Sequence, residues 1–119
     1  MRIMIGAAIL AAAIAAPADA QSVGGQYRVD GTNFDGSRYA GTATIRRSSN
    51  TTCRIHWETG GSSSDGFCML SNGSFAAAYR LGNVVGLVLY DLQPDGTLKG
   101  IWTIADKAGA GTEILTPIK

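Results

Sequence analysis

Asp35-Gly36-Ser37-Arg38-Tyr39-Ala40-Gly41-Thr42-Ala43-Thr44-Ile45 decides the fold, because the chain states it twice. Asp95-Gly96-Thr97-Leu98-Lys99-Gly100-Ile101-Trp102-Thr103-Ile104 repeats it, with one residue inserted in the first copy. Asp-Gly favours a tight turn: Gly accepts positive φ cheaply, and Asp hydrogen-bonds its own backbone. Each copy then enters an alternating, β-prone stretch. This punctuation predicts a small all-β protein built of hairpins.

Outward from these two copies the pattern continues. Strand-like runs are predicted at 26–29, 37–47, 51–59, 67–70, 74–80, 84–91, 97–104 and 112–118, joined by short turn clusters and with no convincing helix. Asp30-Gly31 reads as a turn, and Gly60–Gly66 as the most flexible loop. Eight short sequential strands predict an antiparallel up-and-down barrel of the avidin or lipocalin type, which removes its own edges. A two-sheet β-sandwich is the alternative, although its Greek-key crossings need longer loops. Alternation places Cys53, Ile55 and Trp57 on the interior face of the third strand, opposite Arg54, His56 and Glu58. Tyr39, Gly41, Ala43 and Ile45 line the interior of the second strand, and Leu98, Gly100, Trp102 and Ile104 that of the seventh.

The sixth strand breaks the alternation. Val84 and Val88 are opposed by Val85, Leu87 and Leu89, so both faces are apolar and the outer one needs cover. The segment Val84–Leu89 therefore reads either as a seam for a homodimer or partner, or as a surface under a loop or terminus.

The N-terminus reads as a targeting segment. Met1-Arg2 gives a positive start, Ile3 to Ala16 is apolar or small throughout, and Pro17-Ala18-Asp19-Ala20 fits signal-peptidase cleavage. Cleavage after Ala20 leaves residues 21–119, 99 of the 119, as one soluble, exported domain without membrane insertion. The destination is the periplasm or the cell exterior. The whole chain has 10 basic and 9 acidic residues and a net charge of +1. That balance, with no basic stripe beyond Arg46-Arg47, argues against nucleic acid as a partner. Cys53 and Cys68 are the cysteines of an exported chain, and an even count in an oxidising compartment reads as a disulfide.

Candidates for chemistry are few. Arg54, His56 and Glu58 share one strand face, and a His beside a carboxylate can move protons near neutral pH. No nucleophile is identifiable beside them, and no G-x-S-x-G occurs, so a non-enzymatic protein is expected. The single His excludes a His-based metal cage, and Asp30 to Gly36 fails the ligand spacing of a calcium loop, so neither metal nor cofactor is expected. Tyr27, Tyr39, Trp57, Phe67, Phe75, Tyr79, Tyr90 and Trp102 are spread over the strands. They either fill the barrel or wall a small cavity with Tyr hydroxyls as polar handles; at this size a filled core is expected.

Asp35 to Gly41, Trp57, Asp95 to Thr103 and Gly111-Thr112-Glu113 together resemble a family of small exported bacterial proteins sometimes labelled fibronectin-binding-like. The resemblance covers nearly the whole chain after Ala20 and implies a barrel fold, without binding residues to carry over. The architecture is also similar to avidins and lipocalins, although their Gly-x-Trp start is replaced by Gly25-Gln26-Tyr27. Exported inhibitors of metalloproteases are similar in size, barrel and single disulfide, with no matching motif here.

The reading that follows is an exported binding module that engages a protein partner, adhesion-like or inhibitor-like, through loops and the exposed apolar strand Val84–Leu89. Contacts are expected at the loops Gly60–Gly66 and Ala105–Gly111, with Trp57 and Trp102 near them as exposed aromatics. Tyr39, Tyr90, Arg54, His56 and Glu58 complete the candidate set. The alternative is a carrier that holds a small apolar ligand inside the barrel, and a third reading is a hydrolase using His56 and Glu58.

Overall fold

A computed structural model describes residues 23–119; the targeting segment read at 1–20 lies outside the described residues. The described residues form eight antiparallel strands: β1 (Gly25–Thr32), β2 (Arg38–Arg47), β3 (Thr52–Thr59), β4 (Ser62–Ser71), β5 (Ser74–Leu81), β6 (Val84–Leu92), β7 (Leu98–Ile104) and β8 (Gly111–Pro117). Each strand pairs with the next, and β1 pairs with β8 from Tyr27↔Pro117 to Thr32↔Thr112, so the barrel closes. This is the expected up-and-down barrel and not the sandwich. No helix among the described residues is long and apolar enough to cross a membrane.

The repeat read in the sequence is a repeat in space. In the first copy the Asp35 carboxylate accepts from the Ser37 amide at 2.9 Å and the Ser37 hydroxyl at 2.7 Å. In the second, Asp95 accepts from the amide and hydroxyl of Thr97 at 2.9 and 2.8 Å. Gly36 and Gly96 take φ of 87° and 90°, the left-handed region that Gly occupies without a steric penalty. Their amides donate to Asn33 and Gln93 carbonyls, both at 2.9 Å. The hydrogen bonds from Ser37 and from Thr97 hold both exposed carboxyls below the usual carboxylate range.

Two sequence readings need correction. Asp30-Gly31 is strand, since Gly31 pairs with Tyr39 and also with Glu113; the turn falls later, at 33–36. Gly60–Gly66 is not a loop. Only Gly60 and Gly61 turn, both at positive φ, and Ser62 to Gly66 pair with Thr59 to Ile55. Runs of Ser and Gly are typical of flexible linkers, which is why this stretch reads as one from composition alone.

The interior divides along the barrel axis. At the end where the chain enters, Val23, Tyr27, Ile45, Phe75 and Leu98 are buried, with Val29 and Leu115 behind them. Phe75 stacks on Tyr90 with centroids 5.1 Å apart. Cys53 and Cys68 are directly paired across β3 and β4 and joined by a disulfide, with Cα atoms 4.9 Å apart. The pair matches the oxidising environment its cysteine count implies. This half is filled as expected; the other half is not.

On the outside, β6 does present the apolar face anticipated from Val84–Leu89. Leu87 and Leu89 join Phe67 and Met69 of β4 and Ile101 of β7, each 55–59% exposed. Ala76 and Ala78 of β5 lie between the two ridges and leave a trough.

Candidate functional site

The unfilled half holds a cavity of about 340 Å³. It opens at the end carrying the β1–β2, β3–β4, β5–β6 and β7–β8 connections. Alternation aims Tyr39 of β2, Trp57 of β3, Tyr79 of β5, Trp102 of β7 and Glu113 of β8 into it. Asn33, Thr59 and Ser64 supply neutral polar groups, and Leu81, Val84, Val88 and Ile104 complete the lining.

Each aromatic of this site, and Tyr90 beneath it, is placed by a Gly on the neighbouring strand, except Trp57. Register pairs Tyr39 with Gly31, Tyr79 with Gly86, Tyr90 with Gly100 and Trp102 with Gly111. A Cβ built on these glycines would come within 2.2–2.6 Å of the paired ring, so a ring lies over each bare backbone. Tyr79 then donates to the Thr103 carbonyl at 3.0 Å, and the Trp102 indole to the Thr112 carbonyl at 3.3 Å. Phe34, in the β1–β2 turn, packs on Trp102 with centroids 5.0 Å apart. Trp57 meets Tyr79 edge-on at 5.5 Å.

At the cavity floor stands Glu113, only 5% exposed. Its Oε1 accepts from the Tyr39 hydroxyl at 2.6 Å, and its Oε2 accepts from the Trp57 indole at 2.9 Å and from the Tyr90 hydroxyl. Burial first, and then the Glu113 charge, push the Tyr39 and Tyr90 hydroxyls well above the ordinary phenol value. The same causes push Tyr79 up to about 12. All three phenols therefore remain neutral donors at any physiological pH.

Sequence reasoning missed Glu113 because an acidic residue in a strand is usually outward. A signal existed: within 112–118 it falls in phase with Leu115, on the apolar face. Tyr39, Tyr90, Trp57 and Trp102 from the candidate set do meet here, but not as exposed contacts. Trp57 is 4% exposed and Trp102 is half-buried, both pointing inward, because they share strand phase with Ile55 and Leu98. The expectation that they form an outer contact region is corrected on that ground.

Arg54, His56 and Glu58 lie on the outer wall, apart from this cavity. His56 Nε2 is 2.7 Å from Glu58, and Nδ1 is 2.7 Å from Asp65, which β4 brings opposite it. With both ring nitrogens held by carboxylates, neither is free to take a proton from a nucleophile. Hydrogen bonds to Glu58 and then to Asp65 raise the imidazole above its ordinary value of 6.5. The sign follows: the imidazolium's partners stabilise the fold fully below about pH 6.5, and that contribution fades as pH rises through the raised value. The Tm advantage of wild type over His56→Gln is expected to shrink in that window. Unfolding scans from about pH 5 to pH 9 test it; parallel profiles would show that the pair contributes nothing. The pair is exposed, so the slope is shallow.

No protein-family model matches the chain, and no curated protein matches it. Solved structures with the same architecture do. A redesigned β-barrel, mFAP1, bound to DFHBI, superposes with TM-score 0.69 at 20% identity, over 82% of this chain and 97% of that one. The redesigned barrel b11L5F_LGL gives 0.70 at 19% identity, over 91% and 100%. An asparagine-to-alanine mutant of the fluorescent protein UnaG gives 0.52 at 12%, over 80% and 95%. At these identities the likeness is one of fold.

Proposed function

We propose that the protein is an exported, non-enzymatic carrier that holds a small, flat, largely apolar molecule in the open half of its barrel. The observation behind this is the cavity itself: aromatic walls around one buried carboxylate, on a rigid closed sheet. A volume of about 340 Å³ falls within the range of small-molecule sites, and such sites combine apolar walls with a few placed polar groups. The binding of DFHBI by mFAP1 supports the reading by analogy of fold. Partner capture through Trp57 and Trp102 loses its footing, because neither faces outward.

A second reading concerns the outer apolar face, which we assign to a second copy of this chain. Phe67, Met69, Leu87, Leu89 and Ile101 form a patch on the order of 500 Å², near the top of what a monomer usually exposes. Buried twice across a two-fold axis, it gives about 1,000 Å², the threshold for a biological interface and the size of a weak, transient one. The Ala76–Ala78 trough between ridges suits self-complementary packing.

Native mass spectrometry of the exported protein, purified without refolding, tests both readings. Extra mass that leaves on denaturation is the expected result. A bare barrel that also fails to change tryptophan fluorescence with flat apolar dyes would end the carrier reading. The same spectra should show a dimer that Leu87→Lys converts to monomer; a wild-type monomer at micromolar concentration would remove the second copy.

A further inference from the structure

We propose that the molecule held in this cavity is a cation, its positive group seated against Glu113. The inference rests on the carrier reading and deepens it by naming the ligand's charge.

Among the described residues, the ion pairs are Arg28–Asp30, His56–Glu58 and His56–Asp65, so Glu113 has no cationic partner. Every group that reaches it is neutral: two phenols and an indole. Nor does the cavity wall supply a counter-charge, since Glu113 is the only Asp, Glu, Lys, Arg or His lining it. Burying a carboxylate without a counter-ion is costly, and neutral donors offset only part of that cost.

The geometry leaves room for the missing partner. A carboxylate offers roughly four acceptor positions, and three are taken here. Oε1 holds only the Tyr39 hydroxyl, so its second lone pair remains for a ligand group. The walls suit the same guest. Trp57, Trp102, Tyr39 and Tyr79 present ring systems around the carboxylate, and ring faces attract cations. The same negative charge repels anions. The ligand class is therefore a flat aromatic or heteroaromatic cation, such as a protonated amine or amidine on fused rings.

If Glu113 only anchors the two tyrosines and Trp57, and no ligand group is seated against it, ligand charge should matter little and should matter equally in wild type and Glu113→Gln. Three flat tricyclic probes of similar shape separate the cases: 9-aminoacridine as the cation, anthracene as the neutral molecule and 9-anthracenecarboxylate as the anion. Each is titrated against the full mature protein at neutral pH and read by tryptophan quenching. The cation is expected to bind roughly tenfold or more tighter than the neutral probe, with the anion weakest. Glu113→Gln, whose one carbonyl oxygen can still accept from Trp57 and Tyr90 while its amide NH2 faces the Tyr39 hydroxyl, should bring cation and neutral probe within about threefold of each other. Glu113→Asp, which keeps the charge, should retain the preference, and circular dichroism confirms that each variant is folded.

Equal binding of cation and neutral probe to wild type would overturn the cation inference and leave the carrier reading standing. So would a preference that persists unchanged in folded Glu113→Gln. Binding of none of the three would count against both, and the native mass measurement then decides the carrier reading on its own.

Discussion

Gly41→Ala is expected to destabilise the barrel by about 3 kcal/mol or more, for the addition of one methyl group. The backbone of β2 runs close against β3 at this position. A Cβ built there would lie 1.9 Å from the Glu58 carbonyl oxygen and 2.8 Å from the Thr59 Cα. Both obstacles are backbone, so no side chain can rotate away, and relief requires moving β2 relative to β3 along the ladder from Gly41↔Thr59 to Arg47↔Cys53. Gly100→Ala is the instructive contrast. Its nearest neighbours are Tyr90 ring atoms at 2.6 and 2.8 Å, ahead of the Leu89 carbonyl oxygen at 3.0 Å, so the added methyl meets a side chain before it meets backbone. For a domain of this size, 3 kcal/mol lowers Tm by roughly 12–24 °C. Thermal unfolding of Gly41→Ala beside the exposed control Thr42→Ala checks the prediction. A Gly41→Ala protein that melts with its control would mean that the strands are not held this close.

Removing the disulfide by the double change Cys53→Ala and Cys68→Ala carries the second large effect, also about 3 kcal/mol. The two cysteines are 15 residues apart in sequence, and the chain-entropy account assigns roughly that stabilisation to closing such a loop in the unfolded chain. Both side chains are buried, so truncation also strips packing from the filled half of the barrel. The loss should appear as a lower denaturation midpoint, and reductant should do the same to wild type but nothing to the double variant. An unchanged midpoint in reductant would show that the β3–β4 ladder, intact from Thr52 to Thr59, already supplies the constraint. The size of the effect matters because total stability at this length is only about 5–15 kcal/mol.

What was legible in the sequence was local. The Asp-Gly turns, the alternation of Cys53-Ile55-Trp57, the double-faced β6 and the cysteine pair each depend on residues a few positions apart, and each is present in the barrel. Two errors came from composition standing in for register: Gly31 and the Ser62–Gly66 run look like loop until their partners Tyr39 and Ile55–Thr59 are known. The site was not legible for a stronger reason. Glu113 meets Tyr39, Trp57 and Tyr90 across 74, 56 and 23 residues of sequence. Only barrel closure through β1 and β8 brings β2, β3, β6 and β8 around one point. Asp65 beside His56 is the intermediate case, a hairpin neighbour that the correct β4 boundary would have revealed.

The glycines under the rings carry a further consequence. Eight strands enclose an interior just wide enough for ordinary side chains to fill, which is why a solid core is the natural expectation. Here four rings lie back against walls from which the opposing side chain has been deleted. The space for a guest is thus hollowed from the lining and not obtained by widening the barrel. A chain of this length can then be roomy without being larger, and its capacity is set one glycine at a time.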